Sequence, residues 1–465
     1  MRGLLASPRA WIVTMALAAM ACVPSAQNSS ASLGAQNQPA IASPEAAGDV
    51  AFRSPTASLG MVAFVADADI WTKALPSGEA QRLTADGKNR EPRWSPSGQW
   101  LLILKEKEFW VLDQRGEGAR SLGTAEPVWD RKADRLAYLA RDGTFVLEDA
   151  GGFNRVEISP PAPAGAVQSS LGNPRWSPDG EWLAFSRADA LTEAGQGQPP
   201  VRYASLWRVR ADGGGSVQVL DAGRPSPDGL EVADWSPDGV FILYWVLPSW
   251  SGSGRSDGLP LFAIPAQGGN TRELQPWPKQ AVLTYPDFRT WSPSGDRLAL
   301  IEGNPRGAWA HKRLAVVDIV TGARAYLTDE QTAASSPAWS PDGQRIAYVA
   351  MADEGDLVGG ETARRGLARR RIRVLDANGL AHSLTHDDAY RDERPIWSAD
   401  GSSILFARLD DADRASLWLM PADGGEPVEV VDQLSPNPST PAAFWFGYYG
   451  HINWEQLFDY WPMRL

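Results

Sequence analysis

The chain has 465 residues, of which 43% are hydrophobic and 22% charged, and its formal net charge is -12. That length and balance describe a folded globular protein able to bury a sizeable core, and exclude a disordered or fibrous chain. The acidic balance also speaks against nucleic acid as a partner, because holding phosphates takes a basic surface.

Residues 1–21 read as an export signal. Arg2 and Arg9 precede an apolar run from Trp11 to Ala21 that is too short to span a membrane comfortably. The run closes on Cys22, the only cysteine of the chain, after Ala19-Met20-Ala21. A lone thiol in an oxidising compartment has no disulfide partner within its own chain, so it needs another reason to be there. Small residues ahead of a cysteine resemble a bacterial lipobox, which implies acylation of Cys22 and a membrane-anchored lipoprotein at the cell envelope; cleavage after Ser25 is the alternative. Residues 22–50 are small, polar and proline-bearing and suit a flexible tether.

From residue 51 the text changes. With 21 tryptophans, 44 glycines and 36 prolines and few helical patterns, the composition favours many short strands joined by turns. One unit recurs seven times, as "PRWSPSGQWLLIL" at Trp94, "PVWDRKADRLAYL" at Trp129, "PRWSPDGEWLAFS" at Trp176, "ADWSPDGVFILYW" at Trp235, "RTWSPSGDRLALI" at Trp291, "PAWSPDGQRIAYV" at Trp339 and "PIWSADGSSILFA" at Trp397. The spacings of 35, 47, 59, 56, 48 and 58 residues fit an array in which no unit covers its own apolar face. A second strand-like run and a Gly/Asp turn follow, as in "LWRVRADGGG" and "LWLMPADGGE", so each unit reads as a four-stranded antiparallel blade.

This pattern resembles the TolB-like propeller repeat, also found in the noncatalytic domain of prolyl oligopeptidase and dipeptidyl peptidase relatives. The resemblance implies an all-β, single β-propeller over residues 51–450. Residues 61–84 supply three strands without a preceding Trp-Ser-Pro motif, and "AAFWFGYY" at 442–449 offers a fourth. Eight blades closed by pairing of the N- and C-terminal strands follow, with seven as the alternative if the termini pair otherwise; closure removes the exposed sheet edges. The tail 451–465 places Trp454, Leu457, Phe458 and Trp461 at helical spacing and predicts a short amphipathic helix packed on the ring.

Blade geometry puts the long insertions on one face, which is therefore the expected binding face. Candidate partner contacts there are the loop aromatics Trp250, Trp277, Tyr285 and Trp309 and a basic cluster of Arg364, Arg365, Arg369, Arg370 and Arg371. Internal packing of the aromatics, and pairing of the arginines with Asp387, Asp388, Asp392 and Glu393, are the structural alternatives. No nucleophile elbow is present, the four histidines do not form a helical metal pair, and the acidic "LDDADR" loop reads as solvated. The expectation is thus a noncatalytic binding or scaffold propeller, with no cofactor and no metal, whose partners are an unidentified envelope protein and, through the lipid, the membrane. The alternative is a propeller enzyme, a glycan lyase or hydrolase working through loop carboxylates and arginines.

Overall fold

The computed structural model describes residues 58–463 apart from 173, 192–200, 222–227, 249–257, 276–280, 304–306, 356–359, 437–441 and 448. The signal, Cys22, the tether, Trp250 and Trp277 lie outside the described residues.

The repeat unit folds as it does because each residue of Trp-Ser-Pro-Asp-Gly has a local task. At 176–182, Ser177 Oγ donates to Asp179 Oδ1 at 2.5 Å and accepts the Trp182 N–H at 2.9 Å. Asp179 accepts the Glu181 N–H at 3.0 Å, and Gly180 takes the left-handed φ of 75° that closes the turn. The same bonds recur around Ser236, Ser340 and Ser398. In the divergent copy Asp130 stands in for the serine and holds Arg135 instead.

The motif tryptophan joins one blade to the one before it. Trp129, Trp176, Trp235 and Trp397 donate their indole N–H to the carbonyls of Arg93, Val128, Arg175 and Ala338, at 2.9–3.2 Å. Arginines from neighbouring turns cover the same rings, as Arg135 does on Trp176 at 4.8 Å and Arg345 on Trp397 at 4.7 Å. Apolar residues alternate along the strands so that both sheet faces are buried against neighbouring blades, as Ile404, Leu405, Phe406 and Ala407 illustrate, all at 0% exposure.

Eight antiparallel sheets result, so the fold is an all-β, eight-bladed propeller. The motif-bearing strands are innermost, since these strands, and not the fourth strands, touch one another around the ring. Blade 1 is composite: Gly60–Ala66, Asp69–Leu75 and Gln81–Arg82 are its outer three strands, and Phe458–Pro462 is its inner one. The termini therefore close the ring as expected, but through a different segment. Residues Ala442–Phe446 form a short helix, not a strand, and the expected helix over 451–465 is a single 3-10 turn, Trp454–Gln456, followed by the closing strand. Helical spacing was coincidental here: Trp454 and Leu457 are buried in the turn, while Phe458 and Tyr460 alternate on a strand. Tyr460 stands opposite Val62 as Trp397 stands opposite Ile404, so Tyr460-Trp461-Pro462 takes the place of Trp-Ser-Pro in a truncated eighth copy of the motif, and that was the signal available in the sequence.

Candidate functional site: the axial cavity

The inner strands deliver unusual side chains to the axis. Three residues before the motif tryptophan, Glu91, Ser336 and Arg394 adopt φ values of 55°, 47° and 56°. The strand ladders slip at the same places, between Arg90 and Arg93, Ser335 and Ala338, and Glu393 and Ile396. A repeated bulge with a left-handed, non-glycine residue costs stability and re-aims a side chain, a device that marks functional positions. Ser336 Oγ donates to Asp287 at 2.7 Å, and Arg394 pairs with Glu455 at 3.3 Å.

Blades 6, 7, 8 and 1 together line an axial cavity of roughly 640 Å³. Its polar wall includes Asp287, Arg289, Arg394, Glu455 and Asp459. Asp459 comes from the closing strand and accepts the Trp94 N–H from blade 2 at 2.8 Å. Burial pushes its carboxyl up to about 6, against the opposing pull of that N–H and of Arg394. Burial raises Glu455 as well, with Arg394 opposing. Two carboxyls with raised pKa beside two guanidiniums can hold a charged chain and move a proton near neutral pH.

Above them lies a serine–aspartate–histidine grouping whose order is wrong for nucleophilic catalysis. Asp287 sits in the middle, accepting from Ser336 and lying 3.3 Å from His451 Nε2. A nucleophile needs its base in contact, and here the base and hydroxyl share the carboxylate instead. Burial raises the Asp287 carboxyl, but the His451 charge and hydrogen bond, with Arg394 and Ser336, hold it below the usual range. Tyr285 stacks 4.0 Å from the His451 ring, and Phe288 meets it edge-on at 5.1 Å. The grouping fixes the chain entering the 3-10 turn, and so positions Glu455.

The other predicted site residues are dispersed. Trp309 is 4% exposed and packs on Phe446, so its contacts are internal. Arg370 is buried against Glu393 and donates to the carbonyls of Ala308 and Gly450. Arg371 pairs with Asp388 at 2.6 Å and donates to the Tyr390 carbonyl. The intramolecular alternative therefore describes both. Asp392 is taken by Arg408 at 2.7 Å. Arg364, Arg365 and Arg369 are exposed, the first over the Phe446 ring at 5.1 Å. Among the described residues no group of three His, Cys, Asp or Glu side chains converges as a metal site. Sequence reasoning missed Arg289, Arg394, Glu455 and Asp459. Arg289 and Arg394 stand within three residues of a motif tryptophan, and Asp459 directly precedes Tyr460, which takes the tryptophan's place; that register could have found these three, and it does not reach Glu455.

No family model matches the chain. It is 27% identical over 159 residues to the uncharacterized peptidase YuxL of Bacillus subtilis, covering 32% of this chain and 21% of that protein. It is 22% identical over 344 residues to the "Probable dipeptidyl peptidase 4" of Aspergillus flavus, covering 68% of this chain and 38% of the relative. The chain thus spans about a fifth to two fifths of these curated relatives. Solved structures similar to this chain include an oligogalacturonate lyase in complex with manganese (TM-score 0.45, 15% identity, 79% of this chain and 98% of that one). TolB from Acinetobacter baumannii is another (TM-score 0.30, 17% identity, 69% and 62%). The peptidase relatives correct the expectation of a noncatalytic scaffold: these two proteins, which the chain resembles in sequence, are named as peptidases.

Proposed function

We propose that the protein works in enzymatic hydrolysis of a charged chain substrate, a peptide, with the axial cavity as the place where the substrate is held and protonated. The observation that carries this reading is the convergence of Asp459, Glu455, Arg394 and Arg289 in one cavity on the ring axis. The sequence relatives supply the substrate class. In this reading ionised Asp459 takes a proton from the attacking water and returns it to the departing amide nitrogen. Arg394 offsets the charge that grows on the carbonyl oxygen. We further propose that the protein acts outside the cytoplasm, tethered to a membrane through acylated Cys22.

The test is a cleavage assay on a peptide pool, read by mass spectrometry, with oligogalacturonate as the acidic-glycan comparison. Peptide cleavage should fall by about 10²–10⁴ in Asp459→Asn, the usual contribution of a general acid or base, and lose its pH dependence near 6. Folding should respond in the opposite sense. A carboxyl raised to about 6 in the fold, from about 3.9 unfolded, favours the fold below the unfolded value, and that advantage fades as pH rises through 6. Asp459→Asn should therefore melt no lower than the parent at pH 7.5. No cleavage of any peptide, cleavage of the glycan alone, or full activity in Asp459→Asn overturns the proposal.

A further inference from the structure

Arg289 is half-buried, and among the described residues no carboxylate lies within 4.0 Å of it. It lines the axial cavity, its guanidinium lies 5.3 Å from the Trp245 ring centroid, and its one hydrogen bond is a long one, from Nη1 to the Tyr285 carbonyl at 3.4 Å. Three arginines that are buried more deeply are differently served: Arg187, Arg391 and Arg408 each hold a carboxylate at 2.7–2.9 Å. Desolvation lowers the Arg289 pKa; Asp234, Glu455 and Glu231 counteract from a distance, and the like charge of Arg175 lowers it further. Two of those acids are engaged elsewhere, Asp234 by Arg131 and Glu455 by Arg394. Arg175 donates to the Pro174 carbonyl at 3.1 Å and likewise has no carboxylate within 4.0 Å among the described residues.

Keeping a guanidinium partly desolvated in a cavity without an anion in contact is costly, and a ligand that brings the anion recovers part of that cost. We propose that Arg289, which faces the cavity without a carboxylate of its own, is the receptor for a carboxylate of the substrate. The planar guanidinium takes a carboxylate through two parallel N–H···O bonds, which a neutral amide cannot match. A peptide offers that group at its C-terminus or on an acidic side chain. This assignment deepens the peptide reading above and rests on it for the substrate class; the receptor itself is tested by binding, not by turnover.

The probe is an N-acetylated eight-residue alanine–glycine peptide, titrated calorimetrically into the full chain as the free acid and as the C-terminal amide. The acid should bind at least about tenfold more tightly, a gap that a charge-assisted pair in a desolvated site readily supplies. Arg289→Gln should erase the preference, and Arg289→Lys should keep part of it. Arg175→Gln, which leaves Arg289 in place, should narrow the gap and serves if Arg289→Gln fails to fold. An amidated peptide carrying one glutamate separates the two carboxylate sources: binding like the free acid assigns any carboxylate, and binding like the amide assigns the terminal one. Equal binding of acid and amide, a preference that survives Arg289→Gln, or binding of neither peptide overturns the receptor. Loss of preference in a protein that still cleaves peptides removes the receptor alone; intact preference without cleavage removes the enzymatic reading alone.

Discussion

Glu393 shows how charge is spent inside this ring. It is buried, it touches Arg370 and Arg391, and it accepts the Trp454 indole N–H at 2.7 Å. Arg391 also reaches the Trp445 and Gly450 carbonyls, so one carboxylate ties blades 7 and 8 to the chain that leads into the closing strand. Removing it leaves two buried guanidiniums without their anion, and Glu393→Ala should cost about 3–5 kcal/mol, read from denaturant unfolding. The sign of its pH dependence is fixed. Burial raises the carboxyl, the two arginines outweigh this and hold it at about 2, and so its stabilisation is complete above the unfolded value near 4.3. That stabilisation drains away as pH falls from there toward 2, and Glu393→Gln should flatten the acid limb of the stability curve. The sequence held both readings of the arginine cluster. A run of arginines opposite a run of acids is compatible with a solvated face and with internal pairing, and only the inward direction of Arg370 and Arg371 decides between them.

At the scale of the element, closure rests on five residue pairs, from Gly60 opposite Pro462 to Phe64 opposite Phe458. Gly60 sits at φ 130°, and a Cβ there would stand 2.1 Å from the Trp461 carbonyl oxygen. Gly60→Ala therefore adds strain of about 1–3 kcal/mol to the closing pair. Deletion of residues 457–465 goes further, exposing the edge of Gly60–Ala66 and taking Asp459 away. The shortened chain should aggregate or lose its single cooperative melt, as followed by light scattering during a thermal scan. Blade number was legible because strand counting depends on turns, and Ser-Pro-Asp-Gly announces itself. The closing segment was not, because Tyr460 stands in the tryptophan's place with no Asp-Gly turn after it, and two apolar runs near the C-terminus competed for one vacant edge. The axial site was hidden for a related reason. Its residues lie inside the repeat, where the eye reads blade structure, while long loops draw attention to the rim.

At the scale of the whole molecule, the ring and the N-terminal segment make separate claims. A propeller with a net charge of -12 has no electrostatic reason to sit on an anionic membrane surface, so the proposed anchor rests on acylation of Cys22. One acyl chain gives only marginal binding, and firm anchoring takes a second chain or a basic patch, which residues 23–50 do not supply since they contain no lysine or arginine. Cys22→Ala should move the protein from the membrane pellet to the soluble fraction without changing its melting temperature or its cleavage of a soluble peptide. The fractionation is decisive, because mass spectrometry of the mature N-terminus gives an independent reading of the same event. Unchanged partitioning, or a mature chain that begins beyond residue 22, removes the anchor while leaving the axial site untouched.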